Sequence, residues 1–307
     1  MTEDIMFRIK VPASTANLGP GFDSIGLALS LYLTVEVYES NRWVVEPMTE
    51  EMAAFPRDEN HFIIQVALKT AAKYGVELAP CRLKITSEIP LARGLGSSAA
   101  AIVAGIQLAD TLRGLHLSPE EKVRLSSLEE GHPDNAGASV TGGLVVGQHD
   151  QEHTRLLSFS LPNIGVVAVI PPYELMTSDS RDVLPVVLDY REAVRASAIA
   201  NTFLAALLSG NFTAAGEMMK MDRFHQPYRR KLVPLLEQAE ATAEKAGAFG
   251  TALSGAGPSV VSFAEEERIP FLVRELQQSF PDCQVKHVPI DEEGCTVSHA
   301  QTMKMQS

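Results

Sequence analysis

The sequence predicts an α+β protein of two domains. Three observations carry that prediction. The chain has 307 residues, enough at roughly 150 residues per domain for two separate cores. Its first half alternates strand and helix patterns. After Pro162 the order becomes strand, helical block, two strands, helix and strand, the layout of a ferredoxin-like split βαβ domain. The boundary is expected near residue 160, with an N-terminal domain over 1–160 and a C-terminal domain over 161–307.

The elements follow in order. FRIKV near residue 7 and LYLTVEVYE from Leu31 to Glu39 read as strands, and the apolar period from Asn60 to Tyr74 reads as a helix. RLKITSEI, Arg82 to Ile89, returns to strand. From Ser97 to Gly114 the chain is dense in alanine and leucine, opens on serines suited to capping and closes on glycine. Ser118 to Gly131 repeats that grammar with a Ser-x-x-Glu box and proline in the first turn. GGLVVGQHDQEHTRLLSFSLP gives a strand, a charged turn and a second strand. NIGVVAVIPP is a buried strand, and several long helices are expected between Tyr190 and Ala246. Two short strands around GTALSGAGPSVVSFA, a helix through PFLVRELQQSF and a last strand QVKHVPI complete the second half, and the polar tail after Glu292 is expected to be frayed or solvated.

Composition narrows the function. The chain is 45% hydrophobic and 21% charged, with 21 glycines and 18 prolines, which excludes collagen-like and disordered classes. Its 26 basic residues stand against 38 acidic ones, a formal net charge of −12 with no basic stripe, so neither nucleic acid nor an anionic membrane is expected as a partner. Cys81, Cys283 and Cys295 are far apart and form no Cys-x-x-Cys pair, which fits a reducing cytoplasm. The start MTEDIMF carries acid where a signal peptide needs base, and no apolar run approaches the ~20 residues of a membrane span.

The most informative stretch is PLARGLGSSAAA, Pro90 to Ala101, between a strand and a helix. Gly94 and Gly96 free the backbone to turn its N–H groups inward, Ser97 and Ser98 add hydroxyls, and the helix dipole points its positive end at the same spot. Such a junction binds an anion, most often phosphate. GLGSSA also spells a dinucleotide fingerprint, but Pro90 to Arg93 separate it from the strand end and no acidic strand end follows. A Walker A loop needs Gly-Lys, which the chain lacks, and the nucleophile elbow fails at Ala100. A glycine turn that merely caps the helix is the plain alternative.

P-x-x-x-G-L-G-S-S-A-A resembles the phosphate loop of the GHMP family of small-molecule kinases. KVPASTANLGPGFDSIGLAL, Lys10 to Leu29, is similar to the family's first motif, and GTALSGAGPSVV, Gly250 to Val261, to its third. VPAS-x-ANLGPGFD, EGHPDN (Glu130 to Asn135) and TSDSRDVLP (Thr177 to Pro185) resemble the branch whose acceptor is the amino-acid alcohol L-homoserine, on the route to threonine. The resemblance implies a two-domain GHMP kinase fold, ribosomal protein S5 domain 2-like in its N-terminal half and ferredoxin-like in its C-terminal half. It also implies a homodimer.

Carried over residue by residue, Pro90, Leu91, Ala92, Arg93, Gly94, Leu95, Gly96, Ser97, Ser98, Ala99 and Ala100 would wrap the ATP phosphates, with Asn60 beside the adenine. Ser98 and Glu130 would reach Mg2+, which prefers oxygen ligands and keeps several waters. Asn17, Asp23, His132, Asp134, Asn135, Thr177, Arg181, Arg229 and the Gly255 to Gly257 loop would form the acceptor pocket. A zwitterionic acceptor suits that set, its ammonium facing Asp134 or Asp23 and its carboxylate a guanidinium. Among these, Asn17, Asp134, Asn135, Thr177 and Arg181 would touch the reacting groups.

Many family members carry a lysine in the first motif; Ser14 stands in that region here. The expected chemistry is therefore direct transfer from a well-positioned hydroxyl without a dedicated base, with Asp134 as the alternative base. Other readings are a family kinase for another alcohol, such as mevalonate or shikimate, a non-catalytic nucleotide and ligand sensor, and a nicotinamide-dependent oxidoreductase. His149 and His153 fall in a hairpin turn rather than a helix, so no metal pair is expected there. Glu265 to Glu267 suit the dipole of the helix they precede, and Met218 to Met221 read as core packing.

Overall fold

Two long strands open the fold of the computed structural model, which describes residues 4–299. β1 (Ile5–Asn17) buries Phe7, Ile9 and Val11 in alternation and is buried on both faces from Val11 onward. β2 (Gly21–Glu39) pairs with it antiparallel, with a register shift between Pro12 and Ala13. β3 (Val44–Pro47) leads to α1 (Phe62–Lys73), whose Ile63, Ile64, Val66, Ala67 and Ala71 make one buried stripe. β4 (Cys81–Ser87) pairs with β3 in parallel and with the C-terminal half of β2 antiparallel.

α2 (Ser97–Arg113) is a 17-residue helix buried on most of its surface, bounded by Gly96 and Gly114, both left-handed. The expected serine cap is not used: Gly96 is the N-cap, and Ser97 and Ser98 are the first helical residues with their hydroxyls free for other work. α3 (Pro119–Glu130) carries the predicted capping box, Ser118 N–H donating to Glu121 at 2.8 Å and Glu121 N–H to Ser118 Oγ at 3.2 Å. α4 (Asp134–Thr141) was not legible in the sequence, because its small residues lack a helical stripe. β5 (Leu144–His149) and β6 (Thr154–Phe159) form the predicted hairpin, and β5 pairs with the N-terminal part of β2.

The chain leaves this first sheet after Phe159 and enters a second at β7 (Ile164–Ile170). α5 (Thr177–Asp182), α6 (Tyr190–Leu208), α7 (Phe212–Met219), α8 (Gln226–Arg229) and α9 (Leu235–Lys245) follow; only α6, with 19 residues, is long. β8 (Gly250–Leu253), β9 (Val260–Glu265), α10 (Ile269–Ser279) and β10 (Gln284–His287) complete a four-stranded antiparallel sheet of order β10-β7-β9-β8. That is the split βαβ arrangement the sequence predicts. Alternation along β7 serves two cores. Val167 and Val169 face Leu236 of α9 with Leu272 and Leu276 of α10, whereas Val166 and Ala168 join Phe203 of α6 and the apolar residues of the first sheet.

The tail departs from expectation. β11 (Thr296–His299) pairs antiparallel with β1, Phe7 opposite His299 and Lys10 opposite Thr296, so this part of the expected C-terminal region is an edge strand of the first sheet. The first sheet therefore runs β11-β1-β2-β4-β3, with β5 and β6 branching from β2. Residues 300–307 of the tail lie outside the described residues. Among the described residues no helix is long and apolar enough to cross a membrane.

Candidate active site

The three glycine-rich segments converge because their backbones touch. Asn17, Leu18 and Asp23 hold positive φ angles of 73°, 46° and 52°, a conformation that asparagine and aspartate tolerate best among non-glycine residues. Asn17 stabilises that turn with its own amide, accepting from Asp23 N–H at 3.0 Å and donating to Gly255 O at 3.1 Å. Gly255 N–H donates to Ala16 O at 3.1 Å, and Ser254 Oγ to Gly94 O at 2.6 Å. A Cβ on Gly94 would lie 2.2 Å from Ser254 O, and one on Gly96 2.2 Å from Ser14 Oγ. Glycine at these two positions is thus required by close approach as well as by φ values of 76° and 72°.

The locked loop delivers the start of α2 to a polar pocket of about 140 Å³, without any side-chain cap on the helix. First-turn amides and the dipole remain available to an anion there. Most of the expected residues line this pocket: Asn17, Asp23, the loop from Ala92 to Ala99, Glu130, His132, Asp134, Asn135, Thr177, Arg181, Arg229 and Gly255. Pro90 also reaches it. Ala100 is fully buried in α2, and Gly257 braces the third loop from behind, its N–H donating to Ser254 O at 2.8 Å.

Charge in the pocket is arranged around one imidazole. His132 Nδ1 lies 2.6 Å from Asp134 Oδ1 and Nε2 3.8 Å from Glu130 Oε2. Burial opposes its protonation, but the hydrogen bond and charge of Asp134, with Asp23 and Glu130 behind it, push its pKa up to about 9. His132 is therefore a cation at neutral pH. Asp134, 1% exposed, also accepts from Asn135 N–H at 2.6 Å. Burial raises the Glu130 carboxyl above the usual range, only partly offset by His132 and by the Ser98 hydroxyl, and its Oε1 is buried with no partner. Ser14 is buried and donates to Asn135 Oδ1 at 3.1 Å.

Two guanidiniums face these acids from the other half of the chain. Arg181 grips Asp23 bidentately at 3.1 and 2.9 Å. Arg229, 2% exposed, donates to Ser180 O at 3.0 Å and to Gly255 O at 3.2 Å. Burial lowers its pKa to about 10, which leaves it cationic at neutral pH. The Phe22 ring lies 5.7 Å from the Arg181 guanidinium and 5.3 Å from that of Arg229. Thr177 opens α5 at the exposed rim.

Two of the expected residues have side chains engaged elsewhere. Asn60 is exposed and spends its side-chain amide on Asp58 Oδ1 at 3.0 Å, because the turn into α1 folds it back on itself. An apolar cavity of about 600 Å³ beside the Pro90 to Ala100 loop is walled by Phe55, His61, Phe62, Leu91 and Met176, of which the sequence singled out only Leu91. The Arg93 side chain also turns away, donating to the carbonyls of Pro171, Leu91 and Pro172 at 3.1, 2.8 and 2.7 Å, so only its backbone belongs to the loop. His149 and His153 lie in the predicted hairpin, where Asp150 Oδ1 accepts from the N–H groups of Glu152 and His153.

The sequence matches the family models for the GHMP kinases N terminal domain over residues 61–143 and the GHMP kinases C terminal domain over residues 203–282. The chain belongs to the GHMP kinase family. Relatives within this GHMP kinase group include the homoserine kinase of Bacillus velezensis, 51% identical over 294 residues that cover 96% of this chain and 95% of the relative. The homoserine kinase of Bacillus licheniformis is also 51% identical, covering 97% of each chain. A crystal structure of homoserine kinase from Cytophaga hutchinsonii shares the fold with a TM-score of 0.84 at 24% identity, over 97% of this chain and 98% of that one. GHMP kinase membership carries ATP as the phosphoryl donor.

Proposed function

We infer that this chain transfers the γ-phosphoryl group of ATP to the side-chain hydroxyl of L-homoserine, giving O-phospho-L-homoserine. The observation that carries the reading is the pairing of the half-buried His132 and buried Asp134 with the two arginines, Arg181 and Arg229, across one pocket at the start of α2. An acceptor bearing both an ammonium and a carboxylate matches such a set, whereas a neutral polyol leaves its charges unused. The 51% identity to curated homoserine kinases supports the same substrate.

The residues suit Mg2+. Glu130 Oε1 is a buried oxygen without a partner, and the Ser98 hydroxyl acts on the same carboxylate, favouring its charged form. One carboxylate and one hydroxyl leave positions for water and phosphate oxygens, as a hard cation of this size prefers. Bound there, Mg2+ would neutralise charge on the transferring phosphoryl group.

The protein's own part is alignment. Amides of the Gly94 to Ser98 loop and the helix dipole receive the phosphates, and the cavity lined by Phe55, Phe62 and Met176 receives the base. Asp134 is already engaged by His132 and by the Asn135 amide, which supports transfer without a dedicated base. Residues 1–160 act as the nucleotide-holding half, 161–307 supply the arginines, and a cytoplasmic homodimer is the assembly carried over from the family. An ADP-release assay across homoserine, mevalonate, shikimate and galactose, with and without a chelator, tests the reading. Turnover on homoserine that the chelator abolishes is expected; no turnover there alongside activity on another alcohol overturns it.

A further inference from the structure

Arg229 ends a buried polar stripe whose other members the proposed reaction does not itself use. Asp222, His225, Gln226 and Arg229 recur at helical spacing, and all four are buried. Asp222 accepts from the N–H groups of Phe224 at 2.8 Å, His225 at 3.2 Å and Gln226 at 2.7 Å. Gln226 Oε1 accepts from Leu253 N–H at 2.7 Å, tying α8 to β8. The backbone that carries His225 is therefore fixed from both ends.

The imidazole has one self-consistent tautomer. Its Nε2 lies 2.8 Å from Gly19 O and 3.5 Å from Asp222 Oδ2, and both of these groups only accept, so Nε2 carries the proton. Nδ1 is then a lone pair 3.2 Å from Arg229 Nη1, which only donates. Phe22 stacks on the ring at 5.4 Å and also underlies the Arg229 guanidinium. Burial, reinforced by the charge of Arg229 against that of Asp222, pushes the imidazole pKa down to about 4, which keeps Nδ1 unprotonated at neutral pH.

We propose that His225 is a positioning residue for acceptor recognition: it anchors one arm of Arg229 through Nδ1 and, through Nε2, ties that arginine to the Gly19 turn of the first glycine-rich motif. This rests on the reading that Arg229 grips the acceptor carboxylate. The link fixes the guanidinium relative to Asn17, which sits on the same turn and shares Gly255 O as a partner.

Steady-state kinetics of the full chain test it. His225→Phe keeps the ring stack and removes both hydrogen bonds, and is expected to raise KM for homoserine about 10- to 100-fold while KM for ATP stays unchanged and kcat falls less. His225→Asn places an amide oxygen near the Nδ1 position and is expected to bring KM back to within about threefold of the parent. With homoserine methyl ester, which lacks the carboxylate charge, the parent and His225→Phe are expected to differ little. Arg229→Leu separates the two levels. If it leaves KM for homoserine unchanged, the carboxylate reading itself fails; if it raises KM and His225→Phe does not, only the role of His225 fails. Should a thermal melt show His225→Phe unfolded, His225→Asn against His225→Gln decides. The glutamine reaches toward Gly19 rather than Arg229 and is expected to have the higher KM, and equal values overturn the proposal.

Discussion

A methyl group at Gly94 would stand 2.2 Å from Ser254 O and 2.8 Å from Gly257 O, both backbone atoms that have nowhere to go. At Gly131, φ is also positive, at 87°, yet nothing lies within 4 Å. Alanine at Gly131 is expected to cost only left-handed strain, about 1–2 kcal/mol. At Gly94 the overpacking adds about 1–3 kcal/mol more, and KM for ATP should rise because the same atoms shape the phosphate loop. Urea denaturation of the two variants checks this, and equal losses would contradict it. Much of the site was legible at this scale because glycine-rich motifs advertise their backbone. Adjacent Arg229 and Arg230 were not separable by eye; one step along the helix sends the first inward and the second out to Glu240 at 2.8 and 2.9 Å. Phe22 and His225 were missed because a stacking ring and a buried imidazole look like core, although the spacing from Asp222 to Arg229 held a usable signal.

Elements with a strong local pattern, such as α3 with its capping box and β7 with its apolar run, could be read directly from the chain. β11 could not. Four residues, Thr-Val-Ser-His, carry little pattern of their own, and their partner β1 lies at the other end of the sequence. Such an edge strand contributes through a few ladder hydrogen bonds and through covering the flank of β1. A chain stopped after Glu293 is expected to lose about 2 kcal/mol in urea denaturation. Its KM values should stay near the parent's, since no β11 residue lines the pocket. A truncated chain with unchanged stability would show that β11 only rests on the sheet. α4 escaped for a different reason: its Ala, Gly and Ser residues pack closely on β1 and β2, with Asp134 O at 2.2 Å from a Cβ built on Gly26, so small size rather than amphipathic period defines it.

For the whole molecule, a net charge of −12 must admit a multiply charged anion. On the proposed reading, attraction comes from local groups that line one pocket, the α2 amides with His132, Arg181 and Arg229, against an unfavourable outer field. Raising ionic strength from about 0.01 M to 0.15 M shortens the Debye length from roughly 30 to 8 Å and screens the distant acids more than the contact groups. kcat/KM for ATP, at fixed excess Mg2+, is therefore expected to rise about twofold over that range. A steady fall would mean that the pocket's own positive field dominates encounter.

The pairing of β1 with β11 also orders events during synthesis. A ribosome makes β1 before the other described strands and β11 after them, so the outer flank of Phe7 to Lys10 has no strand to cover it while the second sheet is being built. At ~5–20 residues per second that interval lasts roughly 15–60 s. The last of the described strands is thus the one that covers the flank of β1, and a nascent chain stalled before Thr296 presents the unpaired N–H and C=O groups of that edge to its neighbours.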